Sequence, residues 1–229
     1  MFPIGDDNPP RRQPVLTVGL SAVCILVFLY QLPLAQRATA VFIYSWGAIP
    51  AEILGGRSIG PPSDVPAWLT VLTSMFLHGD FMHIIGNMLF LWIFGNNVED
   101  QFGHVRFIVF YVLCGIAAAA VHGFSEIGSP VPMIGASGAI SGVLGAYILM
   151  FPHARVRVLI WFGIITVVQL RAWIVLGLWF ALQLVNAVLV PVGTEGGVAF
   201  WAHVGGFAGG AMLLPLFRPA RRHAPGPWG

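Results

Sequence analysis

Two polar side chains stand within strongly apolar runs of the sequence, and their types suit each other chemically. Ser137 lies near the start of PMIGASGAISGVLGAYILMF, between Gly135 and Gly138, and His203 lies in FWAHVGGFAGG. A serine hydroxyl is a weak nucleophile until a base removes its proton, and histidine is the usual base. The two residues could therefore attack a carbonyl carbon, provided that the fold brings them together.

A second pair of polar residues, His83 and Asn87, begins another apolar run in the segment HIIGN. Because they are four residues apart, they share one face of a helix. Both could donate hydrogen bonds to a developing oxyanion, together with the backbone N–H of Ser137, and one such donor is worth about 2.7–4 kcal/mol. The predicted helices that carry Ser137 and His203 contain no Asp or Glu. The sequence thus predicts a Ser-His dyad whose third, orienting group is missing or is not a carboxylate.

The composition indicates an integral membrane protein. Of 229 residues, 57% are hydrophobic and 9% are charged, whereas a soluble domain carries about 25% charged residues. The net charge of +2 argues against a nucleic-acid partner. Cys24 and Cys114 lie inside apolar runs and are interpreted as small hydrophobic side chains within the bilayer rather than as a disulfide.

Runs of about 20 apolar residues cross a bilayer, and the sequence predicts six such spans. They are 15–34, 84–98, 105–124, 136–151, 172–190 and 198–217. The further apolar run 156–170 is interpreted as a cytoplasmic or interfacial connector. We expect an N-terminal tail at 1–14, one membrane domain at 15–217 and a C-terminal tail at 218–229.

The arginines predict the orientation, because cytoplasmic loops are enriched in basic residues. With both termini in the cytoplasm, only Arg37 and Arg57 of the eleven arginines lie outside, in the loop between spans one and two. The second part of that loop, WLTVLTSMFLHGDFMH at residues 68–83, is amphipathic enough to lie in the outer interface. The short tails and the use of Arg without Lys suggest a bacterial plasma membrane.

This orientation brings the polar residues to one depth. Spans two, four and six all begin at the outer face, so His83, Asn87, Ser137 and His203 are expected slightly below the outer surface. Glycines four residues apart allow close helix packing; such pairs are Gly138 and Gly142 on span four, with Gly206 and Gly210, and Gly205 and Gly209, on span six.

At these residues the chain resembles the rhomboid family of intramembrane serine proteases. The matching segments are TSMFLHGDFMHIIGNM, NNVEDQFG, GASG and AHVGGFAGG, in this order. The resemblance implies a bundle of six transmembrane helices that cleaves other proteins' transmembrane segments near the outer face. It implies that Ser137 is the nucleophile, that His203 is the base and that His83 and Asn87 bind the oxyanion.

The sequence departs from the family pattern at two places. Many members carry Trp-Arg before the TSMFLH segment, where this chain has Leu69-Thr70. Some members carry an aromatic residue four positions after the nucleophile, which stacks on the catalytic histidine. Here that residue is Ser141, so the base is held less firmly or by another neighbour.

The expected function is that of an intramembrane serine endopeptidase, an all-α membrane protein whose partners are transmembrane substrates and the lipid bilayer. Neither a metal nor another cofactor is expected. The alternative is a non-catalytic rhomboid-like protein that binds membrane clients. A small transporter is a weaker alternative, because no acidic residue lies in a span and no repeat is visible.

Other polar and aromatic residues receive structural interpretations. His78 and His83 lack the HExxH pattern of a zinc site, and His78 is interpreted as a packing residue of the loop. Glu99 and Asp100 are expected to form a cap or loop contact. Contacts between helices are predicted for Gln183 and Asn186, and either a lateral gate or packing against lipid for Trp179 and Phe180.

Overall fold

The computed structural model describes residues 2–61, 65–161, 163, 165–190 and 198–218, and most of them are helical. The helices are α1 (Val15–Gln31), α2 (Gln36–Trp46), α3 (Pro50–Ile53), α4 (Ala67–Thr73), α5 (Phe81–Phe90), α6 (Asn96–Phe102), α7 (His104–Ser125), α8 (Ser137–Met150), α9 (Ala172–Leu189) and α10 (Phe200–Phe217). A 3-10 turn at Ser74–Phe76 follows α4, and a π-helical turn at Leu91–Gly95 joins α5 to α6. The described residues also form three strands: β1 (Phe2–Asp6), β2 (Arg155–Trp161) and β3 (Ile165–Arg171).

Four helical segments of the described chain are long and apolar enough to cross a membrane. They are Phe81–Phe102, His104–Ser125, Ala172–Leu189 and Phe200–Phe217. Two of the other predicted spans form shorter apolar helices, Val15–Gln31 and Ser137–Met150. The prediction of a helical integral membrane protein is therefore confirmed, and the count of six spans stays a prediction.

Helix α8 forms the centre of the bundle. Every residue from 138 to 147 is buried, so α8 has no lipid-facing stripe, as expected for a helix that is apolar on all sides. Helix α9 is the opposite case, because only Ala172, Leu176 and Ala187 are buried along its 18 residues. The central helix thus carries Ser137, and α9 lies at the periphery.

Glycines allow α10 to contact the backbone of α8, as the sequence predicted. A methyl group at Gly206 would overlap the carbonyl oxygen of Gly138, and one at Gly210 would overlap that of Gly142. The glycine-rich faces of the two helices therefore meet, beginning one residue beyond Ser137 on α8 and three residues beyond His203 on α10.

The connector 156–170 lies within a β-hairpin, which the prediction of an all-α protein did not include. Strands β2 and β3 pair antiparallel, with Val158 opposite Val168, and β1 pairs with the other edge of β2. In β2, Val156 and Val158 are buried while Arg155 and Arg157 are exposed, the alternation typical of a half-buried strand. Residues 2–6, within the predicted N-terminal tail, thus form part of a three-stranded sheet.

Glu99 caps the N-terminus of α1, which fits the cap that the sequence suggested. Its carboxylate accepts hydrogen bonds from the backbone N–H of Leu16 and of Thr17, both at 2.8 Å, and from the Thr17 hydroxyl at 2.7 Å. The imidazole Nδ1 of His104 lies 2.6 Å from the same carboxylate. Since a helix N-terminus carries partial positive charge, this buried carboxylate fixes α1 against the end of α6.

Candidate active site

The side chains of Ser137 and His203 are in direct contact. Ser137 is the first residue of α8, and the imidazole Nε2 of His203 lies 2.8 Å from its hydroxyl oxygen. His203 is buried in the first turn of α10, with 8% of its surface exposed. The proximity that the sequence analysis required for nucleophilic chemistry is therefore present.

His83 and Asn87 reach the same place from α5. Gly135 has a φ of +117°, a backbone conformation that residues other than glycine rarely adopt. A Cβ atom built on Gly135 would overlap Nε2 of His83 and would lie 3.7 Å from Nδ2 of Asn87. Because Gly135 has no side chain, the imidazole of His83 and the amide of Asn87 can lie close to the backbone two residues before Ser137.

Two hydrogen bonds at the start of α5 fix the position of His83 and the tautomer of its ring. Asp80 caps the helix by accepting from the backbone N–H of His83 at 2.9 Å. The N–H of Gly79 donates to Nδ1 of His83 at 3.4 Å, so Nε2 carries the proton of the neutral ring. Nε2 of His83 is consequently a donor on the side that faces Gly135.

Asn87 carries an unused donor. Its Nδ2 is buried and makes no hydrogen bond to any residue that the structure describes. Leaving a buried polar group unpaired costs about 1–3 kcal/mol. A donor of this kind, close to a candidate nucleophile, is suited to a negatively charged oxygen that forms only during a reaction.

A cavity of about 880 Å³ contains the four side chains. Residues from α2, α5, α7, α8, α9 and α10 line it, together with the segment 131–135 that precedes α8. Its volume lies in the range of about 300–1,000 Å³ that is usual for binding sites. The candidate nucleophile thus faces an open volume and not a packed helix crossing.

Gln183 and Trp179 also contact His203, and the sequence analysis did not assign them to the site. The carboxamide Oε1 of Gln183 lies 2.8 Å from Nδ1 of His203. The Trp179 ring is tilted by 33° to the imidazole, with 5.8 Å between the ring centroids. The two residues are four apart on α9 and so share a face; that spacing of an aromatic and an amide within an apolar helix was the available signal.

Ser141 does not contact the histidine ring in the way that an aromatic residue would. It is 1% exposed, and its hydroxyl donates to the carbonyl oxygen of Ser137 at 2.6 Å. Its Cβ lies beside Gly206, at the closest approach of α8 and α10. The aromatic contacts to His203 come from Trp179 and Phe200 instead.

His78 lies beside His83 and is not among the residues that line the cavity. It is 1% exposed and packs edge-on against His83, with 5.1 Å between the ring centroids. Burial, and to a smaller extent the neighbouring His83, lowers the pKa of His78 to about 4. Among the described residues, no group of three or more His, Cys, Asp or Glu side chains could hold a metal ion.

A Ser-His pair inside a helical membrane domain is the arrangement expected of an intramembrane serine hydrolase, and comparison with known proteins places the chain in one family. The chain matches the family model of the Rhomboid domain over residues 66–220, which is more than half of its length. The protein belongs to the rhomboid family.

Individual relatives agree with this assignment. RHOMBOID-like protein 4 of Arabidopsis thaliana is 30% identical over 178 residues, which cover 75% of this chain and 40% of that protein. Rhomboid protease GluP of Bacillus subtilis is 42% identical over 79 residues, 34% of this chain and 15% of that protein. Rhomboid protein 1, mitochondrial, of Saccharomyces cerevisiae is 33% identical over 96 residues, 40% of this chain and 28% of that protein. The chain thus matches less than half of the length of each.

Proposed function

We propose that the protein is an intramembrane serine endopeptidase that cleaves transmembrane segments of other membrane proteins. The observation that carries this proposal is the 2.8 Å contact between the Ser137 hydroxyl and Nε2 of His203. Family membership and the unpartnered donor of Asn87 support it.

In the first half of the reaction, the hydroxyl oxygen of Ser137 attacks the scissile carbonyl carbon while Nε2 of His203 takes the hydroxyl proton. The carbonyl oxygen becomes an oxyanion, which accepts hydrogen bonds from His83, from Asn87 and from the backbone N–H of Ser137. The C–N bond then breaks, and His203 passes its proton to the leaving amine. An acyl-enzyme ester on Ser137 remains.

In the second half, a water molecule attacks the ester carbonyl and His203 takes the proton of that water. The tetrahedral intermediate collapses, the ester C–O bond breaks and the proton returns to Ser137. The products are the free serine and a carboxylic acid, which then loses its proton to water and becomes a carboxylate. Neither half needs a metal, a nucleotide or a redox cofactor.

The substrate must unwind locally before it is cut. In a helix, backbone hydrogen bonds occupy the peptide groups, so the scissile carbonyl is not free to enter the oxyanion site. We therefore expect helix-breaking or small residues near the cleaved bond.

The proposal includes six membrane spans, with α1 and α8 as the two short ones, and both termini in the cytoplasm of a bacterial cell. In this orientation the site lies below the outer face, and the segment between α1 and α5 lies in the outer interface. The hairpin β2–β3, which carries Arg155, Arg157 and Arg171, then lies on the cytoplasmic side, in agreement with the positive-inside rule.

The proposal is tested with purified protein in detergent and a model transmembrane substrate. Ser137→Ala and His203→Ala should each reduce cleavage to background. The matched controls Ser21→Ala on α1 and His153→Ala after α8 should retain wild-type rates, because both residues lie outside the cavity. Full cleavage by Ser137→Ala would contradict the mechanism. Substrate binding without cleavage by the wild-type protein would favour a non-catalytic client-binding function.

A further inference from the structure

The candidate base is held from the side opposite to the serine. Nε2 of His203 faces Ser137, and Nδ1 of the same ring lies 2.8 Å from the carboxamide oxygen of Gln183. Two aromatic rings flank the imidazole: Trp179 across its face and Phe200 edge-on, at a centroid distance of 6.4 Å and an angle of 89°. His203 therefore has a defined neighbour on each side.

The Gln183 contact determines which nitrogen can act as the base. A neutral imidazole carries one N–H and one lone pair. If Nδ1–H donates to the Gln183 oxygen, the lone pair is on Nε2 and can accept the Ser137 proton. If the amide were turned over, its N–H would donate to Nδ1, and the ring proton would be on Nε2, where it would block proton transfer. Only the orientation with the oxygen toward His203 is productive.

We propose that Gln183 is a positioning residue that fixes His203 in the Nδ1–H tautomer, with Trp179 packed on the ring, so that the site works as a Ser-His-Gln arrangement. This inference rests on the proposed protease function. It assigns to a carboxamide the third, orienting position for which no carboxylate is available on α8 or α10.

A neutral partner suits this location. Burying a carboxylate in an apolar surrounding costs far more free energy than burying an amide that is hydrogen-bonded. The amide fixes the tautomer and orientation of the ring, but it stabilises the protonated ring less than a carboxylate would. Trp179 supplies the aromatic contact that Ser141 does not, and both holding residues come from one face of α9.

The test compares two substitutions at position 183 with a matched control. Gln183→Met keeps the length of the side chain and removes the oxygen, whereas Gln183→Glu keeps an acceptor. We expect Gln183→Met to lower kcat at least about 10-fold with little change in KM, since general-base catalysis contributes about 10²–10⁴-fold. Gln183→Glu should retain more activity than Gln183→Met. Gln169→Met, on the exposed face of β3, should match the wild type.

The pH profile separates positioning from simple packing. A carboxylate at position 183 favours the protonated ring, so the acid limb of the kcat profile of Gln183→Glu should move to higher pH. The other titratable side chains that act electrostatically on His203 are His83 on α5 and His122 on α7. Both are unchanged in these variants, so a shift reports on position 183.

Nitrogen-15 NMR of histidine-labelled protein in micelles gives a readout that does not depend on activity. We expect His203, assigned with a His203→Gln sample, to show the Nδ1–H tautomer in the wild type and to lose it in Gln183→Met. An Nε2–H tautomer in the wild type, or wild-type kcat and tautomer in Gln183→Met, would overturn the inference. Those results leave the inactivity of Ser137→Ala unaffected, whereas an active Ser137→Ala would overturn the protease function itself.

Discussion

The carbonyl oxygen of Gly138 on α8 occupies the space that a side chain at Gly206 on α10 would need. On α10, Gly206 follows His203 by three residues, and on α8, Gly138 follows Ser137 directly. The 2.8 Å approach of the two side chains therefore depends on the absence of a methyl group at position 206.

Gly206→Ala should separate α8 from α10 and abolish cleavage. Overpacking of this kind costs about 1–3 kcal/mol of stability, and a shift of about 1 Å would disrupt proton transfer between the two side chains. Gly19→Ala on α1 is the control, because a methyl group there meets no atom within 4 Å. Thermal unfolding and cleavage rates are measured for both variants. Wild-type cleavage by Gly206→Ala would show that the close crossing is not required.

The absence of a side chain at Gly135 should be essential for activity. Gly135→Ala places a methyl group against His83 and also forces alanine to adopt a positive φ. Gly128→Ala imposes a comparable strain, since φ is +89° there, but a methyl group at position 128 meets open space. We expect both variants to lose some stability and only Gly135→Ala to lose cleavage. Equal cleavage rates in the two variants would contradict the expectation, because the clash with His83 would then have no effect on activity beyond that of backbone strain.

The donors on α5 should act on the transition state and not on substrate binding. Asn87→Ala should lower kcat by about 10²–10³-fold with little change in KM, the usual effect of removing one oxyanion donor. Asn87→Asp, which has nearly the same shape and no N–H, should be at least as slow. Ile85→Ala is the control, since Ile85 is 55% exposed on the same helix. If KM alone rises in Asn87→Ala, the residue binds substrate and is not an oxyanion donor.

The cap that Glu99 forms on α1 should contribute to stability and not to catalysis. Glu99→Gln removes the charge and one of the acceptors for Leu16 and Thr17, at an expected cost of about 1–3 kcal/mol. Asp100→Asn, which loses charge at a single exposed contact with the Arg12 backbone, should change stability by less than about 0.5 kcal/mol. Denaturant unfolding in micelles checks both values. An unchanged unfolding midpoint for Glu99→Gln would show that the cap does not contribute to stability.

His78 should make stability depend on pH. In the folded protein its pKa is about 4, against 6.5 for an ordinary histidine, because it is buried. The folded state therefore disfavours protonation of His78. The contribution of this residue to the free energy of unfolding is fully present above pH 6.5 and falls as the pH decreases toward 4. At 1.36 kcal/mol per pKa unit, the loss from this residue is about 3 kcal/mol. His78→Leu should show a shallower decrease of the unfolding temperature between pH 7 and 4.5; an identical slope would contradict this assignment.

The sequence was most informative where polar residues interrupt apolar runs. Ser137 and His203 stand out because polar groups within a membrane are costly, and the glycine spacing of α8 and α10 indicated how the two helices could approach. In the structure, the glycine faces of the two helices meet, and the side chains of Ser137 and His203 lie 2.8 Å apart. For Gln183 the sequence predicted only a contact between helices, because an amide in a span most often bridges two helices. The structure shows that contact, and its partner on α10 is His203.

The β-sheet was harder to predict for a different reason. The alternation in RVRV is a strand signal, but it stands next to a long β-branched run that is equally compatible with an interfacial segment. Strand β1 pairs with residues about 150 positions away in the chain, and no local pattern encodes such a partner. Helix α2 was missed because Gln36–Trp46 lies in the same loop as GGRSIGPPSDVP, residues 55–66, which is rich in turn-forming residues.

The most direct test of the account is covalent labelling with a fluorophosphonate, read by intact mass and peptide mapping. We expect one adduct, on the hydroxyl of Ser137. It should be lost in Ser137→Ala and form much more slowly in His203→Ala, while Ser21→Ala should label like the wild type. An adduct on another residue, or labelling that persists in Ser137→Ala, would contradict the assignment of Ser137 as the nucleophile.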